Sequence, residues 1–544
     1  MKIGIAQLNS TVGDFPGNAK RLLNAYREAM EQGAEIVVAP ELALSGYTSR
    51  DLVFQSGYVE SCLQALDYLA GEVGDVPFLL GYLDINRERV GKPFRNAAAF
   101  LHEGEVKQRV YKSLLPTYDV FDERRYFHPA EKCEPVEWNG RKLGVTICED
   151  IWTEEFLERP LYLRDPVSEL VEAGAEIILN LSASPYHQGK VPRRRQLVRE
   201  VAREHRVPVV YCNAVGGNEH LVFDGHSLVV NRKGRPLAQL ASFQEEIAVI
   251  DPSEREEVAI DDLPMEEELC KALVLGLRDY VEKCGFERLC LGLSGGIDSA
   301  LTAVLAVEAV GADRVVGLTM PSEFSSAGSV ADSQALAKNL GIACEEVSIQ
   351  DSFESVKRAM APLFVGESED VTEENMQARL RGLFLMAYAN KKGSLLISTG
   401  NKSELAVGYG TMYGDMCGGV GVLADVTKST VYALARWINR GREIIPWNSI
   451  EKAPSAELRP DQKDQDSLPP YAELDEILDL YIEKQLSVED ILAQTEHGES
   501  LVRWVTRRVD LNEWKRYQAA PGIRVTAKSF GPGRRVPIVK KYLS

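Results

Sequence analysis

Residues 288–299, Arg288-Leu289-Cys290-Leu291-Gly292-Leu293-Ser294-Gly295-Gly296-Ile297-Asp298-Ser299, carry an apolar run into a glycine turn and out towards an alanine-rich stretch that ends near Val310. The apolar half reads as a buried strand and the stretch after the turn as a helix. Glycine at 295 and 296 allows a tight turn that brings backbone amides against a phosphate, and the helix start adds its dipole. The loop lacks the lysine and the spacing of a Walker loop. Around it lie a helix over about residues 266–284, the strand RVVGLTM, a helix, the strand CEEVSI, a long helix with NMQARLRGLFLMAYAN and the strand LLISTG. Strand and helix alternating at this spacing predict an α/β fold with a doubly wound parallel sheet.

Upstream, residues 251–268, DPSEREEVAIDDLPMEEE, are acidic and lack aromatics, as expected of a solvated linker. A chain of 544 residues is too long for one core, so this segment is expected to separate a domain over 1–250 from one over 269–544. In the first domain, KIGIAQL, EIVVAPE, FLLGYL, KLGVTICE, EIILNLS and VPVVYCN read as strands with helices between them. Gly33-Ala34-Glu35-Ile36-Val37-Val38 is echoed by Gly174-Ala175-Glu176-Ile177-Ile178-Leu179, each after an expected helix, so two similar α/β halves are expected. HSLVVNRKGRPLAQL reads as a hairpin with Gly234 in its turn.

A formal charge of -19 argues against nucleic acid as the main partner, because binding a polyanion needs a dense positive surface. The N-terminal MKIGIAQLNSTVGDF lacks the apolar core of an export signal, and no stretch approaches a membrane-spanning length. Nine scattered cysteines without a CxxC pair favour reduced thiols in a cytoplasmic protein and offer zinc no obvious site.

Three strand ends in the first domain carry reactive side chains: Glu41 in VVAPELALSGY, Lys112 in RVYKSLLPTYDVFDE and Cys148 in GVTICEDIW. A lone cysteine after an apolar strand is usually a core residue. The three contexts together, in order and spacing, resemble the carbon-nitrogen hydrolase (nitrilase) superfamily across about residues 1–250. The resemblance implies an αββα sandwich in which Cys148 is the nucleophile, Glu41 the general base and later acid, and Lys112 the cation supporting the tetrahedral intermediate. It makes Glu123 the candidate fourth catalytic carboxylate. In similar glutaminase domains the substrate glutamine meets positions matching Tyr118, Ser184 and Lys190.

The second domain's SGGIDS resembles the pyrophosphate loop of ATP pyrophosphatases, of the adenine nucleotide alpha-hydrolase-like, Rossmann-like class. NMQARLR from Asn375, STGNKSE from Ser398, GYGT from Gly408, Gly414-Asp415, DVTK from Asp425, PSAEL from Pro454 and DSLPPY from Asp466 then resemble the NAD synthetase family in order. This resemblance implies that Ser294, Gly295, Gly296, Ile297, Asp298, Ser299 and Thr399 bind ATP. It implies that Asp298 and Glu404 hold Mg2+, and that Asn375, Arg379, Glu404, Asp415, Lys428 and Lys515 meet deamido-NAD or the triphosphate. Two departures leave the contacts of Ser455 and Lys528 open: PSAEL replaces PTADL, and TAKSFG from Thr526 replaces a His-Lys-Arg segment, as in glutamine-dependent members.

Together the two halves lead us to expect a glutamine-dependent ligase acting on deamido-NAD, ATP and L-glutamine, and family precedent suggests a homo-oligomer. Three alternatives stay open at this level: a related amidotransferase acting on another carboxylate or nucleotide, an independent amidase or nitrilase domain, and a non-catalytic nucleotide-binding module.

Overall fold

In the first strand, Ile3 and Ile5 join one layer of buried apolar side chains while Ala6 joins another, so both faces of this strand are covered. The computed structural model describes residues 1–152, 161–254, 256–260 and 262–541, and the chain divides into two units, Met1–Leu263 and Pro264–Ser544. The strands of the first unit are β1 (Ile3–Gln7), β2 (Ile36–Val38), β3 (Phe78–Ile85), β4 (Phe94–His102), β5 (Glu105–Tyr111), β6 (Val136–Trp138), β7 (Arg141–Ile147), β8 (Ile177–Ser182), β9 (Val209–Asn213), β10 (Val215–Asn218), β11 (Leu221–Asp224), β12 (Leu228–Val230), β13 (Pro236–Gln239) and β14 (Glu246–Ile250). Its helices are α1 (Phe15–Glu31), α2 (Tyr58–Glu72), α3 (Glu123–Tyr126), α4 (Pro166–Glu172) and α5 (Lys190–His205).

Two six-stranded sheets form, ordered β14-β1-β2-β3-β4-β5 and β13-β12-β9-β8-β7-β6, with β10 and β11 as a separate ribbon. Ile3, Ile36 and Leu79 of one sheet pack with Val145, Leu179 and Val210 of the other to make the inner core. Helices α1 and α2 cover the outside of the first sheet, and α4 and α5 that of the second, which makes the αββα sandwich. The repeated Gly-Ala-Glu-Ile word occupies equivalent places: Gly33 (φ +85°) ends the α1 turn before β2, and Gly174 (φ +94°) ends that of α4 before β8. In both, the alanine amide reaches back to the helix, Ala34 to Ala29 and Ala175 to Leu170, and the glutamate amide starts the next strand. The β12–β13 hairpin turns at Gly234, with φ at +68°.

The second unit begins with α6 (Met265–Lys283), inside the segment expected to be linker as far as 268. Glu266, Glu267 and Glu268, which give that segment its acidic look, are first-turn residues favoured by the helix dipole. Then follow β15 (Arg288–Gly292), α7 (Ile297–Val310), β16 (Val315–Thr319), α8 (Ala327–Leu340), β17 (Ala343–Glu346), α9 (Gln350–Met360), α10 (Val371–Lys392), β18 (Ser394–Ser398), α11 (Lys402–Val407), β19 (Val420–Gly421), α12 (Lys428–Ile438), α13 (Trp447–Glu451), α14 (Tyr471–Leu478), α15 (Val488–Gln494) and α16 (Glu499–Leu511). The five strands pair in parallel in the order β17-β16-β15-β18-β19. The chain therefore reverses its winding between β15 and β18, and a crevice outside the carboxyl ends of these two strands is where such sheets take ligands. Helices α14, α15 and α16 pack on α11 through a separate apolar cluster. Among the described residues, no helix is long and apolar enough to cross a membrane.

One glycine positions the loop after β2. A Cβ on Gly81 of β3 would lie 2.3 Å from the Leu42 amide and 2.5 Å from the Pro40 carbonyl oxygen, because the segment carrying Glu41 lies directly on this strand. Gly81→Ala is expected to push that segment away at a cost of about 1–3 kcal/mol. The measurement is amide hydrogen exchange: Gly81 N–H and Leu44 N–H, which bond across this contact at 3.1 Å each, should exchange at least about ten-fold faster. Unchanged exchange would mean that the contact tolerates a methyl group.

Candidate active sites

At the carboxyl ends of β2, β5 and β7, Glu41, Lys112 and Cys148 are all buried. Lys112 Nζ donates to Glu41 Oε1 at 2.7 Å and to Glu123 Oε1 at 2.8 Å, with no solvent exposure of its side chain. Asn96 Nδ2 donates to Glu41 Oε1 at 2.7 Å, the Ala183 amide to Glu41 Oε2 at 2.9 Å, and the Tyr47 hydroxyl to Glu123 at 3.1 Å. Burial opposes the Lys112 charge, but the adjoining Glu123 and Glu41 carboxylates outweigh it and hold the ammonium well above its ordinary range. Burial pushes the Glu123 carboxyl up to about 7 against the pull of Lys112.

Cys148 follows β7 with φ at +45°, in the left-handed region that costs a side-chain-bearing residue about 1–3 kcal/mol. Asp150 fixes this elbow, accepting from the Ile147 amide at 3.0 Å and from the Ser113 and Leu114 amides at 3.0 and 2.8 Å. It thereby ties the loop after Lys112 to the turn that presents Cys148. Burial, with Glu41 close by, raises the Cys148 thiol well above its ordinary value, and Lys112 only partly offsets this. A thiol raised in this way becomes a strong nucleophile only when a base takes its proton.

Next to Cys148, the buried Glu149 accepts from the Tyr118 hydroxyl at 2.8 and 3.1 Å and from Tyr162 at 3.0 Å. Burial raises its carboxyl, opposed by Lys112, the two tyrosines and Lys190. The structure thus gathers Tyr118 and Lys190 around a carboxylate that the motif comparison passed over. Lys190 Nζ donates to the Pro185 carbonyl at 2.9 Å, and the buried Ser184 donates its amide to Asn213 Oδ1 at 2.9 Å.

In the second unit, Ser294-Gly295-Gly296 lies at the switch between β15 and β18. Gly295 has φ +76°, and a Cβ there would sit 2.4 Å from the Ser329 carbonyl oxygen of α8. Ser294 Oγ accepts from the Gly296 amide at 3.2 Å and contacts Ser299 Oγ at 3.1 Å, which fixes the turn. Across the switch, Asn401 Nδ2 donates to Asp298 Oδ1 at 2.9 Å, and Lys428 Nζ donates to Asp298 Oδ2 at 2.5 Å and to Glu404 Oε1 at 3.1 Å. Lys428 is therefore buried between the two expected metal ligands instead of standing at the surface. Thr399 and Gly400 continue from β18 beside Glu404, and a cleft lined by Ser398, Gly400, Glu404, Tyr409, Asp415 and Ala519 opens there.

Thr411 joins Asn375 to Asp415, its hydroxyl donating to Asn375 Oδ1 at 2.6 Å and its amide to Asp415 Oδ1 at 2.5 Å. Burial pushes the Asp415 carboxyl up to about 6, with Lys515 acting against it. Lys515 Nζ donates to the Gly408 and Gly410 carbonyls at 2.8 and 3.2 Å, and the exposed Arg379 donates to the Met412 carbonyl at 3.3 Å. Ser455 Oγ accepts from the Glu457 amide at 3.1 Å, while Glu457 accepts from Ser326 and Ser329 at the start of α8. Lys528 is engaged through its backbone, its amide donating to Glu483 at 2.7 Å and its carbonyl accepting from Lys402 at 3.0 Å.

Known proteins resemble this chain across both units. A carbon-nitrogen hydrolase family model matches residues 2–259 and an NAD synthase model matches residues 269–519. The chain is 45% identical over 551 residues to a glutamine-dependent NAD(+) synthetase of Synechocystis sp., covering 99% of each. It is 42% identical over 583 residues to one of Thermotoga maritima, covering 100% of this chain and 99% of that one. The chain belongs to the glutamine-dependent NAD(+) synthetase family. A solved member from Acinetobacter baumannii, in complex with adenosine diphosphate, is 37% identical with a TM-score of 0.78, covering 99% of this chain and 98% of that one. Another, from Cytophaga hutchinsonii, shares the fold with a TM-score of 0.83 at 24% identity.

In this synthetase-family chain, Tyr47, Asn96, Glu149, Asp150 and Tyr162 of the first site were given no role from sequence, nor in the second were Asn401, Tyr471, whose hydroxyl reaches Glu404 at 3.4 Å, and Asp464, which accepts from Tyr471 at 2.8 Å. Glu149 and Asp150 had a signal, since both adjoin Cys148 and a polar pair after an apolar strand has to find buried partners. Tyr47 and Asn96 had none, because only the folded sheets bring them to Glu123 and Glu41.

Glu123 makes stability depend on pH with a definite sign. Its carboxyl sits above its ordinary 4.5, at about 7, so the folded chain keeps this proton where the unfolded chain has lost it. The stabilisation is complete below about 4.5 and fades as pH rises to about 7. Glu123→Gln removes this titration. The stability of the Gln variant relative to wild type should rise between pH 5 and 7 and then level off, as read from urea midpoints of the first unit, and a flat difference would contradict the raised value.

Proposed function

We propose that the chain is a glutamine-hydrolysing NAD synthetase, converting deamido-NAD, ATP, L-glutamine and water into NAD, AMP, pyrophosphate and L-glutamate. The observation that carries this reading is a buried Glu-Lys-Glu cluster beside a strained cysteine in one unit, joined in the same chain to an SGGIDS loop at a sheet switch point in the other. The glutaminase step is assigned to the first unit, Met1–Leu263, and the synthetase step to the second, Pro264–Ser544.

In the first site Glu41 takes the Cys148 proton as sulfur attacks the glutamine amide, then returns it to the departing ammonia. Lys112 supports the oxyanion of the tetrahedral intermediate, and Glu123 holds Lys112 in place from the other side. Water activated by Glu41 then releases glutamate from the thioester. Glu149, with Tyr118 bonded to it and Lys190 acting on its charge, supplies with Ser184 the polar groups assigned to the zwitterionic amino acid, and the carboxylate suits its ammonium.

In the second site, Ser294 to Ser299 and Thr399 cradle ATP while the deamido-NAD carboxylate attacks the α-phosphorus and pyrophosphate leaves. Ammonia then attacks the activated carbonyl and AMP departs. Asn375, Arg379, Glu404, Asp415, Lys428 and Lys515 are assigned to deamido-NAD and the triphosphate.

Mg2+ fits Asp298 and Glu404 in one respect: one ammonium reaches both carboxylates, so a single ion could too. Among the described residues no three His, Cys, Asp or Glu side chains converge into a metal cage, so phosphate oxygens and water would complete the coordination. When bound with ATP, the ion supplies positive charge against the departing pyrophosphate. Nine free cysteines suit a reducing cytoplasm, where we place the protein as a homo-oligomer.

Replacing the nucleophile tests the division of labour. Cys148→Ala should lower glutamine-driven NAD formation by several powers of ten, while high ammonium at mildly alkaline pH still yields NAD, AMP and pyrophosphate. Retained glutamine-driven synthesis would remove Cys148 from the reaction, and absence of NAD from wild type with either nitrogen source would refute the function. Glu149→Gln should raise the KM for glutamine by about 10–100-fold, since a charge-assisted contact is lost, and leave the ammonium-driven rate alone. An unchanged KM would place the glutamine ammonium elsewhere.

A further inference from the structure

The two carboxylates assigned to the metal are already occupied. Asp298 Oδ1 accepts from Asn401 Nδ2 at 2.9 Å and its Oδ2 from Lys428 Nζ at 2.5 Å. Glu404 Oε1 accepts from Lys428 Nζ at 3.1 Å and from the Tyr471 hydroxyl at 3.4 Å. Among the described residues, this leaves Glu404 Oε2 as the one oxygen of the four without a hydrogen bond from a side chain or amide. Mg2+ dehydrates reluctantly and requires near-octahedral oxygen donors, so a single free carboxylate oxygen offers it little.

The lysine is built into this place. It opens α12, where its amide donates to Ser403 Oγ at 2.9 Å, and the next amide, of Ser429, donates to Asp475 Oδ2 at 2.8 Å. Its ammonium lies 5.2 Å from the centre of the Tyr471 ring, and its side chain is 2% exposed against 19% for Asp298 and 18% for Glu404. The carboxylates thus face outward over a buried cation. A third acid, Asp464, also acts on this ammonium and accepts hydrogen bonds from Tyr471 at 2.8 Å and Tyr409 at 3.3 Å.

We propose that Lys428 is the resident counter-ion of the nucleotide-free site and makes divalent-metal binding dependent on nucleotide. This rests on the assignment of Asp298 and Glu404 as the metal pair. A divalent ion arriving alone meets a buried positive charge and two oxygens already spent on it. A polyphosphate in the SGGIDS loop brings oxygens of its own and an alternative partner for the ammonium. Lys428 then turns to phosphate, and Asp298 Oδ2 and Glu404 Oε1 are released together towards the ion. The exchange keeps a cation against the two carboxylates throughout, and no site for free metal forms. Lys428 acts here as a positioning residue, setting the order in which ligands enter.

The test is direct Mn2+ binding to the full chain, followed by the electron paramagnetic resonance signal of the free ion, with and without ADP and without any turnover. After subtraction of the Mn2+ that ADP takes up without protein, wild type should bind Mn2+ at least ten-fold more tightly with ADP than without it. Lys428→Met should acquire a nucleotide-independent Mn2+ site that is at least ten-fold tighter than in wild type, and this gain should vanish in the Asp298→Asn/Lys428→Met double variant. Lys428→Arg, which keeps the charge, should behave as wild type. Equal Mn2+ affinity of wild type with and without ADP would overturn the proposal without requiring any variant to fold. So would a Lys428→Met protein with native circular dichroism and no gain. Absence of Mn2+ binding even with ADP would remove the metal assignment and the proposal with it, while leaving NAD formation from the two-unit reading to be judged by its own assay.

Discussion

An ammonium without access to water must be neutralised where it lies, and Lys112 meets this condition with two carboxylates within 2.8 Å. Breaking such a pair by removing one partner costs about 3–5 kcal/mol, so the three strand ends that bring Glu41, Lys112 and the Glu123 turn together are not free to drift. The elbow at Cys148 is tied to the same arrangement through Asp150, whose carboxylate accepts from amides on both the Lys112 loop and the cysteine strand. Much of the first unit can be read as what is needed to bury this charge cluster: two sheets to exclude water, Gly81 to let the Glu41 segment lie on β3, and Asn96 and Ala183 to orient the Glu41 oxygens.

The second unit solves a related problem with different chemistry. Lys428 and Lys402 are both buried, one shared by Asp298 and Glu404, the other by Asp425 and Glu483. Asp425 also accepts from the Val525 and Thr526 amides at 2.8 and 2.7 Å, so this later segment is fastened to the turn between β19 and α12. The first cluster holds a buried ammonium between two glutamates, near a cysteine at the end of a strand. The second holds carboxylates beside a glycine loop, and the glycines fall differently: the Cys148 elbow contains none, whereas Gly295, with φ at +76°, lies where a Cβ would meet the backbone of α8.

Several features were legible because they depend only on neighbours along the chain. The alternation of strand and helix, the Gly-Ala-Glu-Ile word that ends α1 and α4 in the same way, and the SGGIDS turn all rest on local backbone preference and period. The start of α6, expected near residue 266, lies at Met265, and only the linker's end at 268 ran past it, since three glutamates signal solvent and a helix N-terminus equally well. The reactive residue types at strand ends were also legible, because each stands in a recognisable word next to an apolar run.

Partners across the fold were not. Sequence placed Lys428 among the substrate contacts, and folding put it 2.5 Å from Asp298, 130 residues earlier in the chain. Nor does any local pattern tell Tyr118 and Tyr162 that they share Glu149, or tell Glu457 that it will cap α8. The sequence by itself determined which elements form, in what order, and which reactive side chains stand at their ends, because these follow from covalent neighbours and hydrophobic period. Only the tertiary structure decided which charges meet. A buried ion takes its partners from whatever the packed sheets bring within about 3 Å, and that distance is set by the whole fold.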